Sequence, residues 1–299
     1  MGIDTASGES YKGISAEDFI AHSSKGKVTI KSLTYDDGPR RVVLVVDGNK
    51  KLSPDTRKAQ NDLVRTILSA ARPEDSFALV VARGSDRTVK FGEDKSAYAD
   101  ALPREGDPRS GKALGVLDAV MAGLKLLGEH KNGDTILVIA SDLEGNRSAN
   151  PNTVAKALQE QQTRMFGLAL GPVSRSNVTA GGQAMTAWGL ATVTPGIGAI
   201  HYEPGDENFL PMTMNSGGAV LSAINGDARH DYSMKDARVE QQVKQSAKVA
   251  WNMIASFYRM EISRSENRTE DWTLEPDENL RKSAPRMVIL YPHQLGPCK

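Results

Sequence analysis

A doubly wound α/β domain, with a mostly parallel sheet, helices on both faces and a small β module built from the two termini, is the fold this sequence predicts. Three observations carry it. Val42 to Val46 are apolar without alternation and rich in β-branched side chains, as expected of a central parallel strand covered on both faces. Similar runs recur at Phe77 to Val81, Thr135 to Ala140 and Met165 to Leu170, with helical periodicity between them. Two of these strands run into carboxylates, Asp47 and Asp142, at the ends outside which ligands bind in open α/β sheets.

The elements follow in order. Phe19-Ile20 and the alternating Lys27 to Lys31 read as short strands in an N-terminal β segment, 1–40. The main domain is expected over 41–257. After the Asp47 loop, Ser53 supplies an N-cap, Pro54 the first helical position and Asp55 an acid in the first turn; Ala59, Leu63 and Ile67 then predict a helix to about Ala71. Pro73 breaks it before the Phe77 strand, and Thr88 to Phe91 reads as a short edge strand. Leu114, Leu117, Met121 and Leu124 mark a helix ending near Gly128, and Asn150-Pro151 opens another carrying Val154 and Leu158. Gly171 to Gly218 reads as loops around one helix near Ala184 to Leu190. Val239, Val243, Ala247, Ala250 and Ile254 stripe a last helix, after which Tyr258, Met260 and Ile262 alternate as a strand. Trp272 to Leu274 and Met287 to Tyr291 make the C-terminal segment, 258–299, β-rich. Strands at both termini that cannot bury an apolar face alone are expected to pair with each other.

Composition bounds the function. In 299 residues, Lys plus Arg equals Asp plus Glu at 37 each, which removes the electrostatic argument for nucleic acid or anionic membrane as a partner. Cys298 is the only cysteine, so neither an intrachain disulfide nor a thiolate metal cluster can form. No run approaches the roughly 18 apolar residues of a membrane span, and Met1 to Ser10 lacks a signal-peptide pattern. The five histidines are scattered outside any metal-ligand pair or triad context and read as ordinary surface or core residues.

Asp47 and Asp142, with the glycine-bearing loop Ser110-Gly111-Lys112, could converge on one spot; the bland alternative is that each carboxylate only caps or turns the chain. The order of strand-Asp47, capped helix, edge hairpin, Gly111 to Leu114, Leu117-Asp118-Ala119 and Ile139 to Asp142 resembles the von Willebrand factor type A domain. Gly13 to Phe19, Asn215-Ser216-Gly217-Gly218 and the Tyr258 strand resemble its bacterial, acidobacterial-type subgroup. The resemblance covers nearly the whole chain. It implies a metal-ion-dependent adhesion site, with Asp47 and Asp142 at its two Asp positions. Its serine positions fall on Asn49 and Lys51, and its threonine position on Lys112, with Ser110 as a substitute if the loop is shifted. Asp47, Asn49 and Asp142 are thus the weak metal candidates. With three of five ligand positions changed, no metal is expected and Mg is the cofactor to test. Lys51, Lys112 or both are expected to occupy the ion's place and pair with the carboxylates.

A competing pattern is Gly106 to Lys112, which has the glycine-lysine spacing of a phosphate-binding P-loop. Ala113 replaces the hydroxyl that would hold magnesium, and Tyr98 to Glu105, with Pro103, reads poorly as the required strand. The expected function is therefore non-enzymatic: recognition of a protein or cell-surface ligand by Asp47, Gly48, Asn49, Lys50, Lys51, Ser110, Gly111, Lys112, Asp142, Glu144 and Asn146. The alternatives are nucleotide binding through Gly106 to Lys112, and an assembly component making contacts through its terminal strands. Relatives in the subgroup are usually exported, which implies a secreted or periplasmic protein.

Overall fold

The structure is a computed structural model and describes residues 2–4, 7–23, 26–84, 87–107, 114–141, 149–170, 179–180, 183–184, 209–224, 232–265 and 269–296. In chain order its strands are β1 (Gly2–Asp4), β2 (Phe19–Ser23), β3 (Val28–Asp36), β4 (Arg41–Asp47), β5 (Ser76–Ala82), β6 (Thr88–Val89), β7 (Thr135–Ala140), β8 (Arg164–Ala169), β9 (Thr179–Ala180), β10 (Gln183–Ala184), β11 (Val220–Ser222), β12 (Phe257–Arg264), β13 (Glu270–Pro276), β14 (Met287–Ile289) and β15 (Gln294–Leu295). The helices are α1 (Pro54–Ala70), α2 (Lys95–Ala101), α3 (Val116–Leu127), α4 (Pro151–Glu160), α5 (Phe209–Asn215), α6 (Ala237–Ala255) and α7 (Glu278–Ser283).

A six-stranded sheet in the order β11-β8-β7-β4-β5-β6 forms the centre, parallel except for β6 at one edge. β4 is one of the two middle strands, and its alternate side chains feed two layers. Val42, Leu44 and Val46 pack with Leu63 and Ile67 of α1 and Val243, Ala247 and Trp251 of α6. Val43 and Val45 face the opposite layer, where Leu117, Val120 and Leu124 of α3 meet Val154 and Leu158 of α4 and Phe209 and Met212 of α5. Such two-sided burial requires continuous apolar strands, which is why the sequence shows no alternation here. α1 starts where the Ser53 hydroxyl accepts the Thr56 N–H at 3.1 Å, with Pro54 at its first turn. The chain runs from β4 to β5 on one side and returns to β7 on the other, so a crevice opens at the C-terminal end of β4.

The terminal strands pair across the sequence. β3 lies antiparallel to β12 along Val28–Asp36 with a bulge at Glu261 and Ile262, β2 pairs β13, and β1 pairs β14. They enclose their own core of Phe19, Val28, Trp272, Leu274 and Leu280. The joint with the main sheet is built on arginines. Arg40, buried, donates to the carbonyls of Ala255 (3.0 Å) and Asp36 (2.5 Å) and pairs with the Asp36 carboxylate at 2.9 Å. Arg164 donates to the Ile254 carbonyl at 2.9 Å, and both guanidiniums lie over the Phe257 ring. Together they satisfy carbonyls that the end of α6 leaves unpaired. Burial, then the like charge of Arg40, pushes the Arg164 guanidinium down to about 9.

One expectation needs correcting. In the span read as loops, 171–218, the short β9-β10 pair and α5 are present, and the parallel edge strand β11 follows directly after it; Ala184, the start of the expected helix, lies in β10, and residues 185–190 lie outside the described residues. The Asn215 to Gly218 motif joins α5 to β11. The Ser216 hydroxyl accepts the Met165 N–H at 2.8 Å and donates to the Thr213 carbonyl at 2.7 Å, while a side chain on Gly218 would strike the Met165 backbone. α2 lies in a stretch to which the sequence reading assigns no element.

Candidate functional site

Asp47 ends β4 at the crevice and is buried, its side chain 0% exposed. Parallel register sets it against Ala82 of β5, and sets Val46 against Ile139 of β7, so the residues that follow those strands, Arg83 and Ser141, flank it. Arg83 holds the carboxylate in a fork: Nε donates to Oδ1 at 3.1 Å and Nη2 to Oδ2 at 2.5 Å. The Ser141 hydroxyl donates to Oδ2 at 3.0 Å. Gln60, fully buried on α1, locks the backbone of the same residue, accepting the Asp47 N–H at 3.1 Å and donating to the Asp47 carbonyl at 2.8 Å.

The loop beyond is a chain of Asx turns. The Asn49 N–H bonds Asp47 Oδ1 at 2.9 Å, and the Lys51 N–H bonds Asn49 Oδ1 at 3.1 Å. Gly48 and Gly84 allow the two strand ends to touch: a side chain on Gly48 would come within 2.8 Å of the Gly84 Cα, and the converse distance is the same. Arg83 itself sits at φ +55°, an uncommon conformation for a non-glycine residue, with its N–H on the Leu114 carbonyl at 2.5 Å.

Among the described residues, the oxygens around Asp47 are already committed to other partners. Both oxygens of Asp47 are engaged by a guanidinium, Asn49 spends its side-chain oxygen on the loop backbone, and no group of three or more His, Cys, Asp or Glu able to hold a metal occurs among the described residues. The expectation for Lys51 is also corrected. Its side chain is exposed, and the cation on Asp47 is Arg83. Ser110, Gly111, Lys112, Asp142, Glu144 and Asn146 lie outside the described residues. The P-loop reading lacks its structural context, because helix α2, not a strand, precedes Gly106.

Gly48 and Lys50 also line a cleft of about 220 Å³ with Leu52, Pro54, Arg57, Gly84 and residues 103–107. Arg83 was not among the residues that the sequence singled out. A signal existed: once β4 and β5 are taken as adjacent parallel strands, the first residue after the second apolar run lies next to Asp47.

What the fold and site define is a doubly wound α/β domain whose switch-point aspartate is paired with an arginine. No protein-family profile matches the chain. No curated protein matches it either. Among solved structures it is similar to an aerotolerance-related membrane protein from Bacteroides fragilis carrying multiple mutations to serines (13% identity, 73% of this chain and 98% of that one, TM-score 0.47). It is also similar to the conserved hypothetical protein BatB from Bacteroides thetaiotaomicron (15%, 71% and 99%, TM-score 0.43) and to the VWA domain of SpRpn10 (14%, 46% and 78%, TM-score 0.35). Likenesses of this degree transfer no function, and the doubly wound architecture stands on strand order and layer composition.

Proposed function

We propose that this protein is a non-enzymatic binding module that recognises a protein or cell-surface ligand through the loops at the C-terminal ends of its sheet strands, without a bound divalent metal. The observation that carries the reading is the Arg83 fork on Asp47. A guanidinium already supplies the positive charge that the buried carboxylate requires, so a cation entering there must first displace two charge-assisted hydrogen bonds. The resemblance to von Willebrand factor type A domains supports the adhesive role and implies export to the periplasm or beyond. No helix among the described residues is long and apolar enough to cross a membrane. The immobilised full chain, exposed to the envelope fraction of its source cells, tests the reading. Retention of the same partner with and without a chelator is expected, and loss of the partner on chelation would count against it.

A further inference from the structure

Resting on that binding-module reading, we infer that the cleft beside Asp47 receives the carboxylate of an acidic side chain from a protein partner, with Arg57 as the fork that holds it. Arg57 is only partly exposed, and its one side-chain hydrogen bond among the described residues runs from Nη2 to the Leu52 carbonyl at 3.3 Å. Its neighbours are committed elsewhere: Arg83 to Asp47, Arg87 to Asp107 at 3.0 and 3.1 Å, and Arg104 to Asp100 at 3.0 Å.

Among the described residues, the charge left over in the cleft is positive. Asp107 is neutralised by Arg87 and also accepts the Arg104 N–H at 2.8 Å, leaving Glu105 against Arg57 and Lys50. A partly desolvated guanidinium with most of its donors uncommitted gains most from a planar acceptor that it can grip at two points, and a carboxylate is that acceptor. Leu52, Pro54 and Pro103 give apolar walls for the methylenes of the incoming side chain. At about 220 Å³ the cleft is smaller than the roughly 300–1,000 Å³ of small-molecule sites, which suits one side chain rather than a cofactor.

Phosphate is the less suitable anion. It would draw on the backbone amides at the start of α1, but Pro54 has none, Ser53 takes the Thr56 and Arg57 N–H groups, and Asp55 already faces the helix dipole.

Fluorescence anisotropy of a labelled hexaglutamate peptide titrated with the full chain tests the inference. Saturable binding is expected, weakened roughly tenfold or more in Arg57→Gln, only partly recovered in Arg57→Lys, and unchanged in Lys58→Gln, an exposed neighbour paired with Asp62. Unlabelled hexaglutamate should displace the probe and inorganic phosphate at equal concentration should not. Absence of saturable binding, equal loss in Arg57→Gln and Lys58→Gln, full recovery in Arg57→Lys, or displacement by phosphate as effective as by peptide would overturn it. The assay contains neither metal nor natural partner, so its failure removes the acidic ligand and leaves metal independence to be judged separately.

Discussion

Gly48 and Gly84 lie in backbone contact, each so close that a Cβ on either would sit 2.8 Å from the other's Cα. This contact closes the ends of β4 and β5 together and sets Arg83 within reach of Asp47. Gly48→Ala and Gly84→Ala are therefore predicted to destabilise the fold by about 1–3 kcal/mol, the usual range for overpacking against unyielding atoms. Urea denaturation checks this, and a midpoint unchanged in both variants would show that the strand ends can separate freely.

Ser216 supplies the acceptor for the Met165 N–H near the start of β8, which pairs with β7 there but meets β11 only from Gly167 onward. Ser216→Ala should cost about 1–3 kcal/mol by leaving that donor unsatisfied. Loss of stability with unchanged Asp47-site behaviour is the expected result, because this contact lies at the opposite end of the strands.

Asp75 ties the arginine joint to the sheet, accepting the Arg40 and Arg72 N–H groups at 2.8 Å each and the Arg72 Nη2 at 2.9 Å. Burial works against its ionised form, but the Arg72 guanidinium and these backbone donors outweigh burial and hold the carboxyl below its ordinary value. For an acid lowered on folding, the unfolded chain takes up the proton first as pH drops. The contribution is complete above about pH 4 and is lost as pH falls through the folded-state value. Asp75→Asn should therefore be less stable than the unmodified protein at neutral pH, with a shallower decline below pH 4, in urea titrations run across that range.

Arg164 works by shape as well as charge, covering the Phe257 face while donating to the carbonyls of Met253 and Ile254. A lysine keeps the charge but has neither the flat face nor the fork. Arg164→Lys should lower stability by about 1–3 kcal/mol, read from thermal unfolding.

How legible these features were in the sequence depended on whether their cause is local. β4, β5, β7 and α1 were readable because two-sided burial and capping leave marks within a few residues, as Val42 to Val46 and Ser53-Pro54 do. α5 is short, with Pro211 inside it, and β11 spans three residues; both are held by contacts such as Ser216 to Met165 that no periodicity records. The site divided in the same way. Asp47 is legible because a strand's end is a local feature, whereas loop position points to Lys51, Lys112 or both as its partner, and of these only Lys51 lies among the described residues. Arg83 wins because sheet register, a long-range property, delivers it to the carboxylate.

The central claim is that Arg83 stands on Asp47 in place of a metal ion. Calorimetric titration of manganese into the unmodified full chain and into Arg83→Ala, side by side, tests it most directly. The account predicts no saturable heat from the unmodified protein and measurable binding in the variant, where the Asp47 oxygens are released. Saturable binding in the unmodified protein, as tight as in Arg83→Ala, would contradict it.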